Sequence, residues 1–581
     1  MKALLLDLYV DEPACFGVPP FLSPYPRYIA GALVDGGAAE GDIAYMTIDR
    51  LRERGFDPGG DYEAIFITGG YTVPGRYLGG KIGTIAELTE FLRINAPLMR
   101  KTRFLIGGPF KYARHDLLEG LRNLRGEIVR GDIERFAYRL MREPGRPSEN
   151  FTERRTYAEV DRWAVRGAFI TQTHPNYPNL ILEMESYRGC TRDVYCSFCS
   201  EAFYGRPDFR EINGIIEEFR TLYTLGNRHF RLGRQADLIS YLPHMNECRR
   251  SFPRPNPESL LHLYSGIREA APEIETLHLD NINPGIIAIY PEESSRIISI
   301  IAQYNTPGDT AALGIESVDP AVIALNDLKC DEEEAYRAVS IINELGGMRR
   351  DGMPALLPGI NLIQGLTGET DKTFEKNLLF LRRIKEAGLL LRRINIRQVS
   401  VHPKTKLERL ISGEMSEEKR KIFETLSRKR MRPDALRRRF EYYRDLIRTE
   451  IDRPMIEAIY PAGTRITRVI PESLQAGFIL GRPLGSYPPT IKIPSGDAEA
   501  LSHYNVHRPI DVIVTGARER SITALSWPIH PTGLDRKALE TIPGIGKNRA
   551  ASLAEMREPT GEEILRAIEG RAVLKKSDFI C

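Results

Sequence analysis

Short apolar runs alternate with amphipathic helical text along most of this 581-residue chain. In the first 150 residues the runs are KALLLDLYV, DIAYMTI, EAIFITGG, RFLIGGP and EIVRGD, each strand-sized and mostly rich in branched residues. Between several of them, GTIAELTEFLRIN and RFAYRLMRE repeat apolar positions at helical spacing. Residues 1–150 are therefore predicted to form a doubly wound parallel sheet. The glycines after its third and fourth strands would lie in loops on the ligand side. Residues 151–178 turn polar and proline-rich and read as a linker.

A second alternating array occupies 179–410, with strand candidates LILEMES, HFRLG, TLHLDNI, AALGIES, GINLIQGL and INIRQVSVHP. Helical text such as INGIIEEFRTLYTLG and ETDKTFEKNLLFLRRIKEAG follows several of them. Six such units make a partial (β/α)6 TIM-type barrel, in which chemistry gathers at the carboxyl ends of the strands. Residues 411–455 read as basic helices, 456–530 as a small β-rich domain, and 531–581 as a helical tail. The expected class is α/β multidomain.

Composition changes this picture little. The net charge of +3 is too small to identify a nucleic-acid partner. No run of about 18 apolar residues suggests a membrane span, and MKALLLDLYVDEP lacks the apolar core and cleavage site of a signal peptide. Seven cysteines, odd in number and mostly scattered, argue against a secreted disulfide framework. A cytoplasmic protein is expected.

The chemistry concentrates in RGCTRDVYCSFCSE, where Cys190, Cys196 and Cys199 fall just after the first strand of the second array. Cys15, Cys248, Cys330 and Cys581 lie far apart. A structural zinc site would need a fourth ligand, and no second CxxC supplies one, although a lone Cys or His from elsewhere in the chain would serve. An iron–sulfur cube held by three thiolates leaves one iron open to a substrate or cofactor. Both readings stand on the residues alone.

These residues resemble the radical S-adenosylmethionine (SAM) enzymes. In that family three cysteines after the first barrel strand hold a [4Fe–4S] cluster whose free iron chelates SAM. The spacing here is Cys-x5-Cys-x2-Cys rather than the family's CxxxCxxC. Phe198 stands where the family places an aromatic residue before its last cysteine. Glu316-Ser317, ending ALGIES, resembles the ribose-binding segment. INLIQGLTGET, with Gln364, resembles the fifth-strand glycine motif, and VSVHPKT, with His402, the sixth-strand end. Gly233-Arg234-Gln235 departs from the glycines and acid that receive the SAM amine in many relatives, which leaves Gln235 as the candidate. Asp280 and Asn281 either face substrate or end the third strand.

The N-terminal unit is similar to the cobalamin-binding domain of one branch of that family, through PFLSPYPRYIAGAL, FLIGGP and VRGDIERF. The DxHxxG motif that supplies a cobalt-ligating histidine is absent, so a scaffold role is preferred and cobalamin is kept as the alternative. Near the C-terminus, LETIPGIGKNRAASLAEM resembles a helix–hairpin–helix. Its Gly544, Gly546, Lys547 and Arg549 would hold phosphate through backbone N–H groups and cationic side chains. The preceding segment resembles a TRAM-like or OB-like barrel that binds RNA, with Arg482 and Tyr487 in the matching stretch. The resemblance implies a radical SAM enzyme modifying tRNA or another structured RNA, with an electron donor such as ferredoxin or flavodoxin. A radical SAM enzyme for a small molecule or peptide, and a non-enzymatic metal-containing nucleic-acid binder, are the alternatives.

Overall fold

The computed structural model describes the chain except residues 11, 13–14, 71–75, 78–79, 146, 415, 418, 421–432, 557–558, 569–573 and 581, and except the side chains of 76–77 and 433–435. The chain opens with β1 (Ala3–Asp7), the two-residue β2 (Phe21–Leu22) and helix α1 (Tyr25–Gly36). It continues through β3 (Ile43–Thr47), β4 (Ala64–Thr68), β5 (Arg103–Gly107) and β6 (Glu127–Ile128). These strands, without β2, form one sheet in the order β3-β1-β4-β5-β6, parallel at every pairing. Strands β1 and β4, ALLLD and AIFIT, are buried at every position. Protein covers both faces of the sheet, and this is why the runs show no polar alternation.

The segment expected as a linker is a packed part of the protein. Thr156 caps helix α2 (Tyr157–Arg166), its side chain accepting from Glu159 while Glu159 reaches back to the Thr156 N–H. Trp163 on α2 is completely buried in the core that α1 shares with the sheet. A capping box on an amphipathic stretch forms a helix, and its apolar face requires a partner.

The second array runs β7 (Ile181–Glu185), helix α3 (Ile212–Thr224), β8 (His229–Arg234), β9 (Thr276–Leu279), β10 (Asn281–Ile282), β11 (Asp309–Glu316), β12 (Leu356–Gln364) and β13 (Arg393–Gln398). Two parallel sheets result, β9-β8-β7-β2 and β10-β11-β12-β13. Asp280 alone separates β9 from β10 along the chain. The edge strand β2 is supplied by the N-terminal unit, Phe21 pairing with Ile181 and Leu22 with Leu182. Two residues are too few to read as a strand in sequence.

Helix α4 (Pro433–Ile447) leads through a wide turn at Arg448–Asp452 into a closed five-stranded barrel. Its elements are β14 (Arg465–Gln475), β15 (Phe478–Pro483), β16 (Thr490–Pro494), α5 (Ala498–Tyr504), β17 (Ile510–Ala517) and β18 (Ser521–Ser526). The strand order is β14-β15-β16-β18-β17, with β16 and β18 parallel and the other pairs antiparallel. Val469, Ile479, Ile491, Val512 and Ile522 fill its interior. Beyond it, a short helix (Arg536–Leu539) and α6 (Lys547–Glu555) pack on Ile513 and Leu525 of the barrel. Part of the basic stretch, 421–432, lies outside the described residues.

Buried ion pairs join the first two units. Arg27 of α1 meets Glu218 of α3 at 3.0 Å, and Arg210 meets the other Glu218 oxygen at 2.7 Å and Asp161 of α2 at 2.8 Å. The side chains of Arg27, Arg210 and Glu218 are all fully buried. Glu218→Ala would leave two guanidinium groups in a dry interface without their shared counter-charge. It should lower stability by about 3–5 kcal/mol, read as a fall in the unfolding temperature. An unchanged temperature would show the trio to be energetically idle.

Candidate active site

The loop after β7 carries the three clustered cysteines, and its neighbours pin it at several points. Ser197 N–H donates to the Asn326 carbonyl (2.9 Å) and Ser197 Oγ to Asn326 Oδ1 (2.8 Å). Arg192 Nη1 reaches the Asp327 carbonyl at 3.1 Å and Cys196 Sγ at 3.2 Å. Within the loop the Cys199 N–H donates to the Cys196 carbonyl at 3.2 Å, a turn that brings the two thiols to the same side.

Cys190, Cys196 and Cys199 all line one cavity of about 180 Å³ at the carboxyl ends of the strands of the second array. Glu316, Lys329 and His402 share its wall, as does Phe198, which also packs against Val322, Leu328 and Leu366. Cys15, Cys248 and Cys330 do not line it, and Cys581 lies outside the described residues. Among the described residues no group of three or more His, Cys, Asp or Glu is placed to hold one metal ion.

Burial pushes the Cys190 thiol up to about 11 and Cys199 higher still. Burial also opposes the Lys329 charge, but Cys196, Glu316, Cys199 and Cys190 around it outweigh that cost and hold its pKa above the ordinary value. Glu316 ends β11 in a left-handed conformation, φ 68°, at a shift in the pairing with β12. Such a backbone costs a non-glycine residue about 1–3 kcal/mol. Its Oε2 is buried and has no hydrogen-bond partner among the described residues. Gly314 makes the arrangement feasible, because a Cβ there would stand 2.6 Å from Lys329 Nζ and 2.7 Å from Glu316 Oε1. Desolvation raises Glu316 to about 7, with Lys329 and Arg397 pulling the other way.

Three residues expected to touch SAM do not line the cavity. Gln235 Nε2 donates to the Leu232 carbonyl (2.6 Å) and its Oε1 accepts from Ser186 (3.2 Å), so its amide serves the strand end and not the cavity. Ser317 Oγ accepts from the Asp319 N–H and donates to Asn377, shaping the turn into the next helix. Gln364 is buried off the cavity wall, its Oε1 without a hydrogen-bond partner among the described residues. Asn281 lines the cavity, whereas Asp280 pairs with Arg231 and accepts from Tyr487.

Sequence reasoning missed Glu12, Glu201, Asn361 and Asn395 on the wall and the groups that hold the two acids. Arg234, read only as a neighbour of Gln235, is fully buried and pairs with Glu12 at 3.0 Å and Glu201 at 3.1 Å. Tyr25 and Tyr204 donate to the same Glu12. These partners come from three distant stretches of chain, which no local pattern connects. Asn361 and Asn395 face the cavity from β12 and β13 and hydrogen-bond each other at 3.2 Å.

The expected RNA contacts of the small barrel are corrected. Arg482 is buried, ion-paired with Glu472 at 2.5 Å. Tyr487 donates to Asp280 at 2.7 Å, its ring beneath the guanidinium groups of Arg231 and Arg393. Both belong to a seam inside the chain: Arg482 donates to the Pro19 carbonyl at 3.4 Å, and the loop between β15 and β16 that carries Tyr487 inserts into the second array. In the tail, Gly544 has φ 96° and shapes the turn before α6. Gly546, Lys547 and Arg549 are exposed, with Arg549 donating to the Ala567 carbonyl at 2.6 Å.

No family model matches the chain. An uncharacterized protein of Archaeoglobus fulgidus is 35% identical over 99% of this chain and 98% of its own length. An uncharacterized protein of Methanocaldococcus jannaschii is 36% identical over 90% of this chain and 92% of its own. The chain belongs to one full-length family with these two proteins. Among solved structures, the radical SAM methyltransferase TsrM from Kitasatospora setae, with tryptophan and a SAM analogue bound, aligns with TM-score 0.48 and 14% identity over 71% of this chain and 76% of its own. The cobalamin-dependent radical SAM enzyme OxsB, with aqua-cobalamin and SAM bound, aligns with TM-score 0.44 and 13% identity over 73% and 56%. Among the described residues no helix is long and apolar enough to cross a membrane.

Glu316 sets a pH dependence whose sign is fixed. Its carboxyl holds a proton more tightly folded, at about 7, than at its ordinary 4.5. The stability this gives is complete below about 4.5 and is lost as pH rises through about 7. Glu316→Gln removes that titration, so the variant should gain on wild type between pH 6 and pH 8 by on the order of 1 kcal/mol. Urea unfolding of the metal-free protein at both pH values checks this. An equal difference at both would mean that Glu316 is ionised throughout.

Proposed function

We propose that the chain is a radical SAM enzyme that modifies a nucleotide in structured RNA such as tRNA. One observation carries the first part: three thiols, the Lys329 cation and the strained Glu316, whose Oε2 has no hydrogen-bond partner among the described residues, meet at one cavity at the strand ends. In a four-iron cube each thiolate takes a different iron, so sulfurs spread around a cavity suit it. Cys190, Cys196 and Cys199 would hold the cluster, and Lys329 and Arg192 would offset its negative charge. When bound, a [4Fe–4S] cluster with one open iron would supply the electron that splits SAM into methionine and a 5′-deoxyadenosyl radical. Glu316 would accept from the ribose hydroxyls. Phe198 and His402 would line the cofactor's pocket. The second array would act as the partial barrel of that family, with a ferredoxin or flavodoxin as donor.

The N-terminal unit serves this reading as scaffold, lending β2 to the array and Arg27 to its ion pairs. Cobalamin is the alternative for this unit. RNA is supported by the small barrel's strand order, which is that of an OB-type fold, and by the exposed hairpin at Gly546 and Lys547. The burial of Arg482 and the engagement of Tyr487 with Asp280 favour the second reading, a small-molecule substrate.

Anaerobic reconstitution should load about four irons per chain, giving a reducible signal that SAM alters. Replacing Cys190, Cys196 or Cys199 with Ala should abolish it, whereas Cys15→Ala, Cys248→Ala or Cys330→Ala should not. Stoichiometric zinc without iron would defeat the reading. Mass spectrometry of tRNA nucleosides with and without the gene should reveal a missing modification, and identical profiles would favour the small-molecule substrate.

A further inference from the structure

A second cavity, open and of about 830 Å³, lies away from the thiols, between the wide turn after α4 and the small barrel. Arg448, Arg453, Lys492, Arg518 and Arg520 line it against one acid, Glu519. Arg453 pairs with Glu457 at 3.1 Å. Among the described residues, Arg448, Lys492, Arg518 and Arg520 make no ion pair. A like-charged group carries a standing electrostatic cost that an anion relieves. Burial lowers the Arg448 pKa first and Arg520 and Arg444 lower it further, against the opposing pull of Asp445 and Asp452.

The cationic groups come from separate elements: the turn after α4, the short helix that follows it at Arg453–Ile459, strand β16, and the turn joining β17 to β18. Cations spread in this way fit successive phosphates of a chain better than a single compact anion. A chain of charged and aromatic side chains runs from the basin toward the thiol cavity. Asp452, beside Arg448 in the wide turn, lies within electrostatic reach of Arg520, Arg448 and Arg393. The Arg393 guanidinium stacks 4.3 Å from the centre of the Tyr487 ring, which lines the thiol cavity.

We infer that this basin binds the sugar–phosphate backbone of the RNA substrate and so positions the target nucleotide toward the thiol cavity. The inference rests on the RNA reading above and deepens it. The contacts are to phosphate, so they set affinity and register and carry no base preference.

The test uses the full-length reconstituted protein and an unmodified tRNA transcript, with affinity measured across a salt series. The double variant Arg448→Gln/Arg520→Gln should weaken binding about tenfold at the lowest salt. It should also flatten the slope of log affinity against log salt by about 0.7–0.9 for each contact removed. Arg520→Lys, which keeps the charge, should retain most of the wild-type slope. Wild-type affinity and slope in a folded double variant would overturn the inference and leave the RNA reading intact. Loss of binding with a lowered unfolding temperature, not restored by Arg520→Lys, would assign the arginines a structural role and also overturn it. Wild-type protein that binds no tRNA at any salt would bring down the RNA reading and the inference together.

Discussion

Neutralising buried guanidinium groups is the constraint on which the rest of this structure depends. Arg27, Arg210, Arg231 and Arg234 are completely buried, and Arg155 and Arg188 nearly so. Their counter-charges come from different parts of the chain. Glu134 and Asp132 follow the N-terminal sheet, Asp161 sits on α2, Glu183 and Glu185 on β7, and Glu218 on α3. Ion pairs of this kind add little net stability, but separating one leaves a buried charge at a cost of several kcal/mol. The N-terminal unit and the second array are therefore held in one register, and β2 completes the join through its backbone. The same chemistry reaches the site, where Arg234 ties Glu12 from the first unit to Glu201 just beyond the last clustered cysteine.

Within that frame the local chemistry of the cavity follows from short-range packing. Gly314 leaves room for the Lys329 and Glu316 head groups, and the backbone at Glu316 turns its Oε2 into a place without a hydrogen-bond partner among the described residues. Backbone strain and an unmatched buried acceptor at one residue are two costs that packing alone does not explain. A ligand that donates hydrogen bonds at this point would offset both. The small barrel closes another side, because Ser486 and Tyr487 bond to the ends of β9 and to Asp280.

The parts legible in sequence were those governed by local pattern. Continuous apolar runs marked the parallel strands because both faces are covered, and the spacing of Cys196 and Cys199 marked a turn that presents two thiols together. Glu316 was singled out by the resemblance of ALGIES to a ribose-binding segment, and it ends β11 at the cavity wall. Features set by long-range pairing were invisible. Lys329 reaches the thiols from a loop between helices, and Glu12 meets Arg234 across more than 200 residues of sequence. The linker reading failed because polar text at 151–178 hid an amphipathic helix whose buried face includes Tyr157, Val160 and Trp163. Arg482 and Tyr487 misled for a related reason. An arginine and an aromatic residue beside a proline-rich turn suit an RNA surface, and equally a polar seam between two protein units.

The central claim is that the thiol cavity is built to cleave SAM. Its most direct test is chromatographic: anaerobically reconstituted, chemically reduced protein is incubated with SAM, and 5′-deoxyadenosine is quantified against the same protein left oxidised. The account predicts 5′-deoxyadenosine in the reduced sample alone. An iron-loaded, reduced protein that leaves SAM intact would contradict it.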